Sequence, residues 1–415
     1  SQWGTIVSLA ESTIKEGLLF AGTDDGVIQV SDDGGKTWTK TTNFLGVPEY
    51  TYVSDIFPSR FDENVVFAYF NNIKSDDFKP YLLKSSDKGK TWVSIVSDLP
   101  DDETVHSIIQ DPIKKDLLFV GTEFSFYFTT DGGWQWFNLT SVLPDIAVRD
   151  IAIQERENDL VIATFGRGFY ILDDYTPLRY LNEETLKKEA EIFPIKDALM
   201  FIESHPFGFK GTAFQGASFY SAPNPEVGAV LTYYLKEGFK TLKEIRREEE
   251  IEKQEKCEDV KYPGYDRLES EMNESIAYLL FTITDEQGNV IRKLKTDGKR
   301  GVNRIVWDFR YTPFTPISLE PFDDSVPWVE ADKGYMVVPG KYFVSLSKFQ
   351  DGIFTELVQA REFNCITLNN TTLPAVDKLA LDVFNKKVAE LTRAVTGADA
   401  YRKELVNKLA YLKKA

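Results

Sequence analysis

From residue 5 to residue 174, apolar and polar positions alternate in short runs bounded by Gly, Asp and Ser clusters. That period-two pattern predicts half-buried strands joined by tight turns. IVSLAES, YVSDIFPS and VHSIIQD open successive units, and each is followed by a second and a third strand: LLFAGTDDGVIQVS (18–31), VVFAYF with YLLKSS (65–70 and 81–86), and LLFVGTEFSFYFTT (117–130). VRDIAIQERENDLVIATFGRGFYILDD (148–174) supplies three further strands and no fourth.

The first three units share one box, Ser/Thr-x-Asp-x-Gly-x-x-Trp. Its copies are Ser31, Asp33, Gly35 and Trp38; Ser85, Asp87, Gly89 and Trp92; and Thr129, Asp131, Gly133 and Trp136. They begin 54 and 44 residues apart, a period suited to four-stranded propeller blades. The short hydroxyl and the Asp can bond the backbone of a tight turn, and Gly accepts a positive φ. The Trp then opens the next strand and is expected to pack beneath the hairpin.

The box resembles the Asp-box, or bacterial neuraminidase repeat. Residues 148–174 resemble the closing blade of bacterial sortilin-like propeller proteins, which are often labelled glycosyl hydrolases. Those proteins are larger, so the resemblance implies that this chain matches a C-terminal half whose N-terminal propeller half lies on a longer chain or a separate polypeptide. It also implies an extracytoplasmic location and a polypeptide or glycan ligand. Physics points the same way: three blades plus a partial fourth leave an uncovered edge that invites aggregation.

Beyond Asp174 the pattern changes. Residues 179–192 read as a short linker, and ALMFIES, AVLTYYLK, SIAYLLFTITDEQGNVIRKL, NRIVWDFRYTP and GKYFVSLSKF as strands. Together they resemble an Ig-like β-sandwich over 193–366, with Trp307 as a core residue and Asp285–Asn289 as a hairpin turn. A charge run at about 237–272 reads as one solvated helix inserted between strands. From 374 to 415 apolar residues recur at helical spacing, and Gly397 divides them into an expected helical hairpin. The fold expected is therefore mainly β: an incomplete Asp-box propeller over 1–178, the sandwich, and the hairpin.

Composition narrows the function classes. Lys and Arg number 48 against 65 Asp and Glu, a net charge of −17, which disfavours a nucleic-acid partner. No apolar run approaches the ~20 residues of a membrane-spanning helix. With two Cys and two His, neither a disulfide framework nor a Cys/His metal site is expected, and no cofactor. His106 sits in a strand pattern and reads as a packed or rim histidine; His205 lies in a loop before Pro206. The sequons at Asn138, Asn273 and Asn370 carry little weight if the source is bacterial.

Candidate chemistry collects in the turns between second and third strands. These lie on the face opposite the boxes and should point toward the axial mouth. They carry Asp24, Asp25, Asp76, Asp77, Glu123 and Arg167. Asp25, Asp77 and Glu123 are the candidate catalytic carboxylates, since glycoside hydrolysis uses a pair ~5–9.5 Å apart. The same residues also read as turn formers or as a binding rim, and Phe44, Tyr50 and Tyr52 as a sugar-stacking platform. Sialidases use three arginines, a Tyr nucleophile and an acid, but Arg60 and Arg156 fall on the wrong face, and Arg149, Arg167 and Arg179 do not by themselves assemble such a set. The leading reading is a non-catalytic binding or assembly protein. The alternatives are a sialidase-like or xyloglucanase-like hydrolase completed by further blades, and a structural subunit of an envelope complex.

Overall fold

Alternation along the strands gives the sheets in the first half two apolar faces. In VVFAYF, Val66, Ala68 and Phe70 bury to one side and Phe67 and Tyr69 to the other. A sheet apolar on both faces must be covered on both, and consecutive sheets do this for one another. The computed structural model describes residues 4–139, 143–202, 216, 222, 224–317, 332–369 and 376–414. His205, Asn370 and Thr140 lie outside them. The chain divides into two units, Ser1–Asn182 and Glu183–Ala415.

The first unit is a row of propeller blades. Blade 1 holds β1 (Ile6–Glu11), β2 (Leu19–Thr23), β3 (Ile28–Ser31) and β4 (Thr39–Thr41). Blade 2 holds β5 (Tyr52–Pro58), β6 (Val66–Asn72), β7 (Asp77–Ser85) and β8 (Val93–Ser94). Blade 3 holds β9 (Val105–Gln110), β10 (Leu118–Thr122), β11 (Phe126–Thr129) and β12 (Phe137–Asn138). Blade 4 has three strands, β13 (Val148–Gln154), β14 (Asp159–Thr164) and β15 (Phe169–Leu172). All four sheets are antiparallel meanders. The first strands pack in sequence, β1 on β5, β5 on β9 and β9 on β13. One apolar cluster fills each gap between neighbouring blades.

Each box closes its turn with the same bonds. In the second copy Gly89 N–H donates to Ser85 Oγ (2.8 Å), while Lys90 and Thr91 N–H donate to Asp87 Oδ1 (3.0 and 2.8 Å). The Thr91 hydroxyl donates to Oδ2 at 2.7 Å. The third copy has Gln135 in place of that Thr; Asp131 Oδ1 accepts from Trp134 and Gln135 N–H and from the Thr129 hydroxyl. The box also reaches the turn between first and second strands: Gly34 N–H to Gly17 O, Lys88 N–H to Asn64 O, and Gly132 N–H to Asp116 O, all 2.8–3.0 Å. Blade 4 has no box, yet Tyr175 N–H makes the matching bond to Asn158 O at 2.9 Å. Gly133 has φ +105°, and a Cβ there would stand 2.9 Å from Ile95 of blade 2, so glycine is required on both counts. The tryptophans differ. Trp92 and Trp136 are 8% and 6% exposed, but Trp38 is 41% exposed, contrary to the packing expected of it.

A buried polar knot secures the end of this unit. Asp111, fully buried, accepts from Ile113 and Lys114 N–H, the Tyr175 hydroxyl (2.7 Å) and Arg179 Nε (2.9 Å). Arg179 also donates to Asn158 Oδ1. It lies in the helical turn α1 (Pro177–Tyr180), so the start of the expected linker belongs to the blades.

The second unit begins with α2 (Glu183–Lys187) and is a β-sandwich. One sheet has β16 (Ala190–Ile192), β18 (Ala229–Leu235) and β21 (Gly301–Trp307). The other runs β17 (Ala198–Met200), β23 (Ile353–Thr367), β22 (Gly340–Gln350), β19 (Tyr278–Thr284) and β20 (Val290–Thr296). β17 pairs with β23 in parallel, and the other neighbours are antiparallel. Trp307 is wholly buried in the single core, edge-on to Tyr342 at 5.3 Å and Phe363 at 6.0 Å. The sandwich therefore starts at Ala190, inside the expected linker, because β16 needs β18 as its partner.

Two helical expectations are corrected. The charged insertion is two helices, α3 (Leu242–Glu255) and α4 (Tyr265–Asn273), clasped by Arg246 bonding both Glu271 oxygens at 2.6 and 3.0 Å. The expected C-terminal hairpin is one helix, α5 (Lys378–Lys414), running straight through Gly397. A helix-interior glycine costs only about 1 kcal/mol, and with no Pro or positive-φ residue beside it nothing forces a turn. Of its residues only Ala389 is buried, and Arg393 ties it to Phe314 O at 3.0 Å.

Candidate functional site

The innermost strand of every blade carries a bulge at the same place. Pairing skips one residue after Ile6, Val53, Val105 and Val148. The skipped residues are Val7, Ser54, His106 and Arg149. Each is followed by a polar residue: Ser8, Asp55, Ser107 or Asp150. A bulge turns two successive side chains out of strict alternation. Repeated four times, it lines the entry of the inner strands with side chains that a regular strand would place elsewhere.

On blades 3 and 4 these positions meet the Glu123 turn. Buried Glu103 fixes that turn, accepting from Thr122 Oγ1 (2.5 Å), Phe124 N–H (3.1 Å) and the Tyr127 hydroxyl (3.1 Å). Ile146 N–H donates to Phe124 O and Phe165 N–H to Ala147 O, so the turns of blades 3 and 4 are both tied to the segment entering β13. Glu123 Oε2 lies 2.6 Å from His106 Nε2. Arg149 Nη1 is 3.1 Å from both His106 Nδ1 and His106 Nε2, and its Nη2 is 3.6 Å from Glu123 Oε2. The guanidinium lies over the Phe165 ring, 5.4 Å from its centroid.

Burial, above all, lowers the His106 pKa; Glu123 opposes this shift and Arg149 adds to it. The ring is therefore neutral at pH 7, and the Glu123 contact supports the tautomer in which Nε2–H donates to that carboxylate, with Arg149 Nη1 against the ring. Arg149 is 42% exposed, the Phe165 ring beneath it is 69% exposed, and Phe124, next to Glu123 in the same turn, is 46% exposed. The cluster thus presents a cation flanked by aromatic surface.

The same contour differs between junctions. Ser8 Oγ accepts from Ile56 N–H (3.1 Å) and donates to Asp55 at 2.5 Å. At the equivalent junction Asp150 takes Ile151 N–H itself, and Ser107 Oγ, buried, has no partner. The Tyr69 phenol is held protonated chiefly by burial and further by the charges of Asp55 and Asp150.

The carboxylates singled out in the sequence are otherwise occupied. Asp24 Oδ1 accepts from Gly4 and Thr5 N–H at 2.9 and 2.8 Å. Asp25 accepts from the Thr23 hydroxyl. Asp76 adopts φ +61° as the cap of a short 3₁₀ turn. Asp77 accepts from Asn72 Nδ2 (3.0 Å) and the Tyr81 hydroxyl (2.7 Å); partial burial opposes its ionisation, but these bonds prevail and lower its pKa. Arg167 is an exposed residue of the β14–β15 turn. Only Glu123 of the six joins a cluster. Its partners, His106 and Arg149, were legible only as a rim histidine and one arginine among several. The bulge that brings them together has no sequence signature. Phe44 is buried against Phe70 and Trp92 and is no sugar platform, while Tyr50 is exposed. Arg60 pairs with Glu155 at 2.5 Å at the opposite ends of the inner strands. Among the described residues no group of three or more His, Cys, Asp or Glu side chains could hold a metal ion. No described helix is long and apolar enough to cross a membrane.

No family model matches the chain, and no curated protein does. Among solved structures it is similar to a GH74 enzyme of Niastella koreensis (TM-score 0.34, 16% identity, covering 41% of this chain and 29% of that one). It is also similar to an ancestral GH74 enzyme (TM-score 0.32, 19% identity, 39% of this chain and 22% of that one). A third is YCF48 from Cyanidioschyzon merolae (TM-score 0.30, 15% identity, 41% of this chain and 57% of that one). The chain thus spans less than two thirds of the length of each.

Proposed function

We propose that the blade unit is a non-catalytic binding module, working outside the cytoplasm, whose mouth engages a polypeptide. The carrying observation is the His106–Glu123–Arg149 cluster. It is assembled from two blades, and it joins an exposed cation to exposed aromatic rings. Arg149 has donors to spare for a backbone carbonyl or an acidic side chain, and Phe124 and Phe165 give apolar area beside them. The row Val7, Ser54, His106, Arg149 passes from apolar to charged across four blades, so an extended chain crossing it would meet a different environment at each step.

The turn bonds of Asp25 and Asp77 argue against a hydrolase, because an acid catalyst needs a carboxyl held protonated and Asp77 is held ionised. Among the described residues, the side chains bonded to His106 are those of Glu123 and Arg149, neither of which offers a hydroxyl or thiol nucleophile.

The test is to screen the chain against a displayed library of unstructured dodecapeptides and an oligosaccharide array, alongside chromogenic glycosides. Peptides should be retained, with Arg149→Ala weakening the best of them about tenfold, roughly 1.4 kcal/mol, at unchanged thermal stability. Retention of glycans alone, or turnover of any glycoside, would overturn the reading.

A further inference from the structure

Because register is the same in every blade, each position has an equivalent in the others, and burial can be compared along the row. On the incoming face, Ile6 of blade 1 corresponds to Val53, Val105 and Val148. Its exposure is 60%, against 0%, 0% and 1%. Leu9 corresponds to Ile56, Ile108 and Ile151, at 69% against 2%, 7% and 6%. Trp38 is 41% exposed against 8% and 6% for the other box tryptophans. On the outgoing face, Phe169 of blade 4 corresponds to Ile28, Leu82 and Phe126, at 75% against 0% for all three.

The equivalents are covered by one kind of object each time, the facing sheet of the neighbouring blade. Both end faces keep the apolar residues that this contact needs and lack the contact. An unsupported apolar sheet face of this kind marks an interaction surface.

We infer that both end faces are sockets for further propeller blades, on polypeptide other than these four sheets. The chemistry of the occupant follows from the existing junctions. Against blade 1 it must present the aliphatic and aromatic face that Ile28, Leu82 and Phe126 present. Against blade 4 it must present a bulged inner strand with β-branched residues at the positions of Val53 and Ile56. It should also bring a box whose glycine lies close against the preceding blade, as at Gly89, where a Cβ would stand 3.0 Å from the Val30 side chain. Continuity with three repeats of one interface carries the inference, and it does not depend on what the mouth binds.

Hydroxyl-radical footprinting tests it, comparing the 415-residue chain produced alone with the native assembly isolated from its own source. In the chain alone, Trp38 and Phe169 should oxidise readily, with Trp92 and Phe126 as protected internal references. In the native assembly both should be protected about tenfold, to the level of those references. Amine cross-links from Lys40 should then lead to peptides that carry the Ser/Thr-x-Asp-x-Gly-x-x-Trp box and are absent from this chain. Unchanged oxidation of Trp38 and Phe169 in the native assembly would overturn the inference. So would cross-links to residues 148–172, which would mean a second copy, or to a segment without blade pattern.

Discussion

The two units solve the same burial problem in different ways. In the sandwich, one core joins strands as distant in sequence as β16 and β23, and Trp307 touches Phe309 two residues on and rings from β22 and β23. In the blades, each sheet is a local meander, and cohesion comes from three separate clusters between neighbours. A repeated architecture of this kind is stabilised approximately as a sum of neighbour contacts, so its ends are its weak points. The sandwich has no such ends; losing one central side chain affects it all.

The difference can be broken most forcefully by two truncations. Trp307→Ala should cost about 3–5 kcal/mol and unfold the sandwich as a whole. Asp111→Ala should cost a similar ~3–5 kcal/mol, because it strands Arg179 and Tyr175 in a buried site, yet its effect should stay with blades 3 and 4. Hydrogen exchange resolved by peptide separates the outcomes. Loss of protection in blade 1 as complete as that in blade 4 would show the blades to be one cooperative body.

A smaller effect comes with acid. Bonds from the Thr37 backbone and hydroxyl, above all, hold Asp33 at about 2. Asp87 is likewise at about 2: slight burial opposes ionisation, and the Thr91 bonds overcome it. Their unfolded value is near ~3.9. Each therefore contributes stability that is fully present above about pH 4 and is lost as pH falls through about 2. Melting followed from pH 5 to pH 2 should show blade stability falling in that window, and Asp87→Asn should flatten part of the fall.

The smallest effect concerns α5. Gly397→Ala should stabilise the helix by ~1 kcal/mol, since a Cβ there meets only Pro316 at 3.7 Å. Exchange protection around residue 397 should rise; a fall would mean that the glycine serves a bend.

What was legible beforehand follows the same division. Blade strands, boxes and the turn at Asp285 rest on neighbours a few residues apart, and period-two patterning reports them. The hairpin expected at Gly397 failed because a breaker's weight depends on its surroundings, and a continuous helix tolerates one glycine. Phe44 looked available in the sequence and is core, since its exposure depends on Trp92, 48 residues away.

The sequence by itself determined the propeller blades, their number in this chain and the bonds that close each turn, because all of these are local and repeat. Only the tertiary structure decided that Glu123 meets His106 and Arg149, that Asp25 and Asp77 are tied to their own turns, and that Trp38 is exposed where Trp92 is buried. The reason is physical: a bulge, a burial and a contact between blades are properties of what lies across a gap, and no residue carries its neighbour's position in its own name.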